Sequence, residues 1–327
     1  MVQKKTKQLL FHIFQIIISI GLISFIIYKA NPQTLLQTIK GIEIQYYFYF
    51  LILVFISTLM LVFRWYILAR ASLGNSVNGF KLIKFTLIGF FFNLFMPTAV
   101  GGDIIKGYLL GKSSGKMENG SMTVLVDRFI GILTIFSIGF VSAIFAFNSV
   151  ADKRITIIVL VLFITLLAGM FIFLNRGVMK YFSKLFDIFK LKKLKAIIKE
   201  FYESIYLFKD KKLQVFYAFF TSILMQMINI FAIFVLSKAL GMTVSYFYFL
   251  IFIPLIYVIQ MIPISISGIG VRENSFVFFF GLVGVPKEIA LTLSLLYFSI
   301  FLIIGIIGAI VMIFSKINYK NIEGYNE

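Results

Sequence analysis

Six stretches of this chain each run for about twenty residues or more with few charged side chains. They lie at 9–28, 46–68, 121–147, 155–174, 214–237 and 289–315. A helix needs about 20 apolar residues to cross the hydrocarbon core of a bilayer, and in lipid the backbone must satisfy its own hydrogen bonds. The sequence therefore predicts an all-α polytopic integral membrane protein with about six full spans.

Composition excludes several other classes of protein. Hydrophobic residues make up 61% of the chain and charged residues only 13%, which leaves too little polar surface to cover a soluble globule. The chain has no cysteine and a single histidine, His12, so neither a disulfide framework nor a metal site is expected. No catalytic residue set and no cofactor site are expected.

Two further apolar regions, 80–111 and 246–284, are too long for one span and are interrupted in the middle. The first contains "FMPTAVGGDIIKG" and the second "MIPISISGIGVRE", each with a proline, then glycines, then an acidic residue. Proline removes a backbone donor and glycine weakens a helix, so both helices should break there. We expect two broken helical hairpins, and re-entrant and fully spanning forms both fit.

The basic residues indicate which side of the membrane each loop occupies. The net charge is +18, and the stretch 175–212 holds eleven Lys or Arg against four Asp or Glu. Cytoplasmic loops are enriched in Lys and Arg, so this stretch and both termini are placed in the cytoplasm of a prokaryote, at the plasma membrane. Nucleic acid is not expected as a partner.

This sidedness divides the chain into a first membrane half, 1–174, a basic linker, 175–212, and a second membrane half, 213–327. The two hairpins then enter from opposite leaflets, which is the signature of an inverted repeat. Apolar residues recur at helical spacing over 194–205 and predict an amphipathic helix on the inner leaflet. The aromatic pair Trp65 and Tyr66, beside Arg64, is expected at the membrane–water interface.

The candidate substrate-binding residues are those that form or follow the breaks, together with one charged pair inside a span. Ionisable groups within the membrane are costly and usually face a cavity or a partner. Asp103 and Lys106 share one helical face, and the amides of the preceding glycines are expected to be exposed to an anionic headgroup. For the charged residues, the alternative to substrate binding is an ion pair that only stabilises the fold. For Asn93, the alternative is helix capping. The residues are Asn93, Pro97, Gly101, Gly102, Asp103, Lys106, Asp127, Arg128, Pro263, Gly268, Gly270, Arg272 and Glu273.

Three motifs carry a family resemblance. "NLFMPTAVGGDIIKGYLLG", "VDRFIGIL" and "PISISGIGVRENSFVFFFGLVGVPKEIALTLSLL" resemble the membrane region of lysylphosphatidylglycerol synthases, also described as the flippase-like domain family, over about residues 10–315. By this resemblance Asp103, Asp127, Arg128, Arg272 and Glu273 match the family's polar motifs. The soluble aminoacyl-phospholipid synthase domain of that family is absent here, so lysyl transfer by this chain is not expected.

The resemblance and the breaks together favour a lipid flippase-like transporter. Its partners would be membrane lipids, namely an anionic or aminoacyl phospholipid or a polyprenyl-linked lipid. One alternative is a membrane transferase of the phosphatidylglycerol lysyltransferase type, with Asp103 or Glu273 as the base. The other is a membrane scaffold for a separate synthase or glycosyltransferase, docked on 175–212.

Overall fold

A computed structural model describes residues 38, 40–95, 101–146, 153–174, 192–262 and 264–315. Within these ranges the chain is helical and has no β-strand, which confirms the all-α prediction. The helices, in chain order, are α1 (Ile44–Leu73), α2 (Gly79–Phe95), α3 (Gly101–Ser114), α4 (Met117–Ala146), α5 (Lys153–Leu174), α6 (Lys192–Tyr206), α7 (Lys212–Lys238), α8 (Tyr246–Gln260), α9 (Val271–Gly281) and α10 (Lys287–Phe314).

Four of the predicted spans are helices that are long and apolar enough to cross a membrane. These helical segments are Ile44–Ser76, Met117–Phe145, Lys212–Lys238 and Lys287–Phe314. They contain or closely match the predicted spans 46–68, 121–147, 214–237 and 289–315. The chain is therefore a membrane protein with several apolar helices.

The other two predicted spans are 155–174 and 9–28. Helix α5, which has 22 residues, covers the predicted span 155–174, and it contains the apolar helical stretch Ile157–Met170. The predicted span 9–28 lies outside the described residues. The total of six spans stays a prediction.

Each of the two interrupted regions contains two helices rather than one. In the first, α2 ends at Phe95 and α3 begins at Gly101. In the second, α8 ends at Gln260, a 3-10 turn follows at Ile266–Gly268, and α9 begins at Val271. Backbone φ angles of +52° at Ser267, +73° at Gly268 and +84° at Gly270 turn the chain out of a right-handed helix. Pro97 and Pro263 lie outside the described residues.

The chain forms two compact units that alternate along the sequence. The first comprises the described parts of Met1–Ile56, Ile83–Lys106 and Ile228–Glu327, and the second comprises those of Ser57–Leu82 and Gly107–Met227. Both interrupted regions contribute their break to the first unit. These units are not the membrane halves 1–174 and 213–327, which were predicted from an apparent repeat in the sequence. That division stays a prediction.

Within the first unit, α2 packs very closely against α3. A Cβ atom on Gly102 would lie 2.0 Å from the carbonyl oxygen of Gly89, so only glycine fits at this contact. Helix α2 also packs on α10, where a Cβ on Gly308 would lie 2.1 Å from the Leu87 carbonyl oxygen. Small residues at such contacts let membrane helices approach through their backbones.

Within the second unit, α3 and α4 approach in the same way. A Cβ on Gly120 would lie 2.5 Å from the Gly107 carbonyl oxygen, and Gly139 of α4 leaves room for the ring of Phe163 of α5. The predicted amphipathic helix is present as α6, and its Phe201 ring packs edge-to-face on Phe129 of α4 at 5.2 Å between centroids. The apolar face of α6 thus packs at least partly on protein.

Candidate functional site

Glu273 closes the second break by capping the helix that follows it. Its Oε2 accepts the backbone N–H of Gly270 at 2.6 Å, three residues earlier, which is the N3-to-N-cap bond of a capping box. The first turn of α9 is therefore held by a buried carboxylate. A negative side chain is also favoured there by the helix dipole.

Arg272 neutralises this carboxylate and is itself buried, with 2% of its surface exposed. Its Nε donates to Glu273 Oε1 at 3.0 Å and to Ser294 Oγ at 3.3 Å, and its Nη2 also donates to Glu273 Oε1. The guanidinium carbon lies 4.1 Å from the centroid of the Phe298 ring, a cation–π contact that desolvation strengthens. Among the described residues, Nη1 has no hydrogen-bond partner.

Polar side chains outside the predicted set extend from this pair. Tyr297, on α10 beside Ser294 and Phe298, has its hydroxyl 3.0 Å from that of Tyr257 on α8. Tyr257 in turn accepts a hydrogen bond from Asn229 Nδ2 on α7 at 3.0 Å. The usable signal was the pattern Ser294, Tyr297, Phe298, which places polar and aromatic groups on one face of an otherwise apolar helix.

Gln260, the last residue of α8, lies beside the turn. A Cβ on Gly268 would lie 3.2 Å from its Oε1, and its buried Nε2 has no hydrogen-bond partner within the described part of the chain. A buried donor without an acceptor is costly. The second break therefore combines a neutralised ion pair with two donor groups that have no acceptor among the described residues.

At the first break, Asn93 of α2 caps the start of α3. Its Oδ1 accepts the backbone N–H of Gly102 at 2.8 Å, which makes capping its observed role. The expectation of an exposed amide at Gly102 is wrong, because that amide is bonded to Asn93 and both Gly101 and Gly102 are buried. The two arms of the hairpin lie too close together to leave the amide open.

Asp103 and Lys106 form a buried pair within α3, with Nζ 3.4 Å from Oδ1. Their three-residue spacing puts both side chains on one helical face, as predicted. The aliphatic stem of Lys106 lies over Gly89, since a Cβ there would be 2.8 Å from Lys106 Cγ. Glycine at that position lets the lysine stem lie flat against α2.

Replacing Asn93 with alanine is expected to lower the free energy of unfolding by about 1–2 kcal/mol, because the buried Gly102 amide loses its acceptor. Thermal unfolding in detergent micelles measures this. Asn78→Ala is the matched control, since Asn78 Oδ1 also accepts a backbone N–H, from Phe80 at 2.9 Å, at an exposed position. Asn78→Ala should cost less, because water can replace its exposed hydrogen bond, and an unchanged stability of Asn93→Ala would contradict the capping role.

Asp127, in the second unit, does not pair with its neighbour Arg128. It forms a two-pronged ion pair with Arg64 of α1, Nε to Oδ1 at 2.7 Å and Nη2 to Oδ2 at 2.9 Å. Arg64 Nη1 donates to Ser222 Oγ of α7 at 2.8 Å. The Arg128 side chain is exposed instead, because consecutive residues of a helix point in different directions.

Arg64 and Trp65 are therefore packed inside the second unit. Both are buried, and Trp65 Nε1 donates to Thr123 Oγ1 at 3.3 Å. Gly131 of α4 makes room for the guanidinium, since a Cβ there would lie 3.3 Å from Arg64 Nη1. The expectation that Trp65 faces the membrane–water interface is wrong, because its ring is enclosed by protein, and the same expectation for Tyr66 stays a prediction.

The structure thus gathers Asn93, Gly101, Gly102, Asp103 and Lys106 at the first break and Gly268, Gly270, Arg272 and Glu273 at the second. Asp127 belongs to a separate cluster in the second unit, with Arg64 and Ser222. Within the described ranges, no group of three or more His, Cys, Asp or Glu side chains could hold a metal ion.

Comparison with known proteins places this chain among membrane proteins. Residues 12–308 match the family described as the lysylphosphatidylglycerol synthase TM region. A UPF0104 membrane protein of Methanothermobacter thermautotrophicus is 23% identical, over 84% of this chain and 86% of its own length. The UPF0104 membrane protein MJ1595 of Methanocaldococcus jannaschii is 25% identical, over 92% and 94%. No solved structure matches the chain.

Proposed function

This chain belongs to the lysylphosphatidylglycerol synthase TM-region family, and from that premise we propose that it moves a lipid with a polar or charged headgroup between membrane leaflets. The observation that supports this most is the second break, where a helix stops inside an apolar region next to a buried Arg272–Glu273 pair. Interrupted helices with charged groups at the break are where many transporters bind their substrates.

The cost of burial argues that these charges have a role. Each ionisable group in a membrane span costs roughly 3 kcal/mol on insertion scales, so apolar residues would be cheaper if packing alone were needed. Asp103, Lys106, Arg272 and Glu273 are all buried. We propose that they line the headgroup path, with the two hairpins as inverted repeats in a prokaryotic plasma membrane.

Arg272 is the residue that we propose to contact a lipid phosphate. An arginine has five N–H donors in a planar fork. Glu273 and Ser294 accept hydrogen bonds from Nε and Nη2 of Arg272. Nη1 remains to donate to a phosphate oxygen, and Gln260 Nε2 is a second donor near the same turn. An anionic, aminoacylated or polyprenyl-linked lipid presents that phosphate.

We expect Arg272→Lys to lower the transport rate about tenfold or more, because lysine keeps the charge beside Glu273 but loses two of the three donor nitrogens and the planar contact with Phe298. The assay uses vesicles containing the purified protein and fluorescent phosphatidylglycerol, lysyl-phosphatidylglycerol or a polyprenyl phosphate. Dithionite added outside then measures the arrival of each probe in the outer leaflet.

Arg70→Lys is the matched control, because Arg70 is an exposed arginine whose Nη1 donates to the Tyr66 hydroxyl at 2.9 Å. It should leave the rate unchanged. Rates are divided by the amount of monodisperse protein, so that a folding defect is not read as a transport defect. If none of the three probes crosses faster than in protein-free vesicles, the proposal is wrong.

A further inference from the structure

A partly open apolar pocket of about 450 Å³ lies in the second unit, away from both breaks along the chain. It is bounded by α4, by the end of α6 and the segment that follows it, and by the first two turns of α7. Its walls are almost wholly apolar and include Val126, Ile130, Leu133, Phe208, Val215 and Phe219. An apolar space of this size suits a hydrocarbon chain.

Two lysines, Lys209 and Lys212, complete the lining. Lys212 is exposed and makes no hydrogen bond or ion pair to a described residue, while Lys209 Nζ donates to the Tyr206 hydroxyl at 2.7 Å. Both lie where the candidate span Lys212–Lys238 begins. Phe219 lies about 10 Å further along α7, at a rise of about 1.5 Å per residue, so positive charge is at one end of the pocket and hydrocarbon at the other.

We propose that this pocket binds one acyl chain of an anionic phospholipid, with the lipid phosphate at Lys212 and Lys209. Charge complementarity favours an anionic headgroup at this end of the span. The surface of α7 next to the pocket is apolar and exposed, with Leu213 60%, Phe216 61% and Tyr217 52% exposed. In a membrane that surface would contact lipid. Because the pocket lies next to it, a lipid is the occupant that we propose.

The test measures bound lipid and needs no transport. The purified protein is equilibrated with equal amounts of phosphatidylglycerol and phosphatidylcholine, and native mass spectrometry gives the ratio retained. Lys212→Glu should lower that ratio about fivefold or more, because one basic side chain near the surface contributes about 1 kcal/mol. Lys211→Glu is the matched control, an exposed lysine one residue away that does not line the pocket.

A second variant tests the hydrocarbon end. Val215→Trp adds a ring to the pocket wall and should reduce retention of both lipids, whereas Lys212→Glu reduces only phosphatidylglycerol. On the unaltered protein, phosphatidylglycerol with a diazirine in its acyl chain should label 126–133 and 215–219. Equal ratios for the Lys211 and Lys212 variants, or labelling confined to other parts of the chain, would overturn the proposal.

Discussion

Replacing Arg64 with methionine is expected to lower the free energy of unfolding by about 3–5 kcal/mol, the usual cost of removing one partner of a buried ion pair. Asp127 would be left inside the second unit without the two donors that now hold it at 2.7 and 2.9 Å. Ser222 would lose its bond to Nη1 as well. The effect should be among the largest of any single substitution here.

The measurement can use the single tryptophan of the chain. Trp65 is next to Arg64 in sequence and fully buried, so its fluorescence emission should shift to longer wavelength when this region opens. Thermal unfolding of the variant in detergent should begin at a lower temperature than that of the wild type. The shift of Trp65 emission and the loss of helical circular dichroism should be followed together.

Two further variants identify the partner of Asp127. The double substitution Arg64→Met/Asp127→Leu should be more stable than Arg64→Met alone, because it leaves no buried charge without a partner. Arg128→Gln, at the exposed neighbour, should cost less than about 1 kcal/mol. A larger loss for Arg128→Gln than for Arg64→Met would contradict the observed pairing.

Gly102→Ala is the second substitution with a large expected effect. The new methyl group would lie 2.0 Å from the Gly89 carbonyl oxygen and 2.7 Å from Asn93 Oδ1. Because the first of these atoms is backbone, α2 and α3 must move apart, and the cap on Gly102 is lost with that movement. We expect a loss of about 3 kcal/mol, at the upper end of the usual cost of overpacking.

The recovery of monodisperse protein after mild heating, read by size-exclusion chromatography, checks this result. Gly79→Ala is the matched control, since nothing lies within 4 Å of a Cβ at that position of α2. It should change stability by no more than about 0.5 kcal/mol. Wild-type recovery for Gly102→Ala would mean that the two helices do not approach at Gly89.

The breaks were predictable because their causes are local. The prolines and glycines of each break lie within 15 residues or so of one another, and both residue types disfavour a continuous helix. Glu273 caps the helix that contains it, and Asp103 meets Lys106 one turn away. The role of Asn93 was among the alternatives considered, and the structure identifies it as a cap.

The partner of Asp127 was not predictable in the same way. Arg64 is 63 residues earlier in the chain, on a helix whose end resembles an interfacial segment. The adjacent Arg128 offered a simpler pairing, although neighbouring residues on a helix do not face each other. The bonds among Asn229, Tyr257 and Tyr297 were missed for a similar reason, since they join three helices whose packing the sequence does not reveal, although Ser294, Tyr297 and Phe298 share one face of α10.

The sequence by itself determined that the chain is helical, roughly which segments can cross a bilayer, and where helices stop, because lipid leaves the backbone only its own hydrogen bonds. Only the tertiary structure decided which acid meets which base and which glycines touch backbone. Those contacts depend on how distant helices pack, and a buried charge takes whichever opposite charge that packing brings within reach.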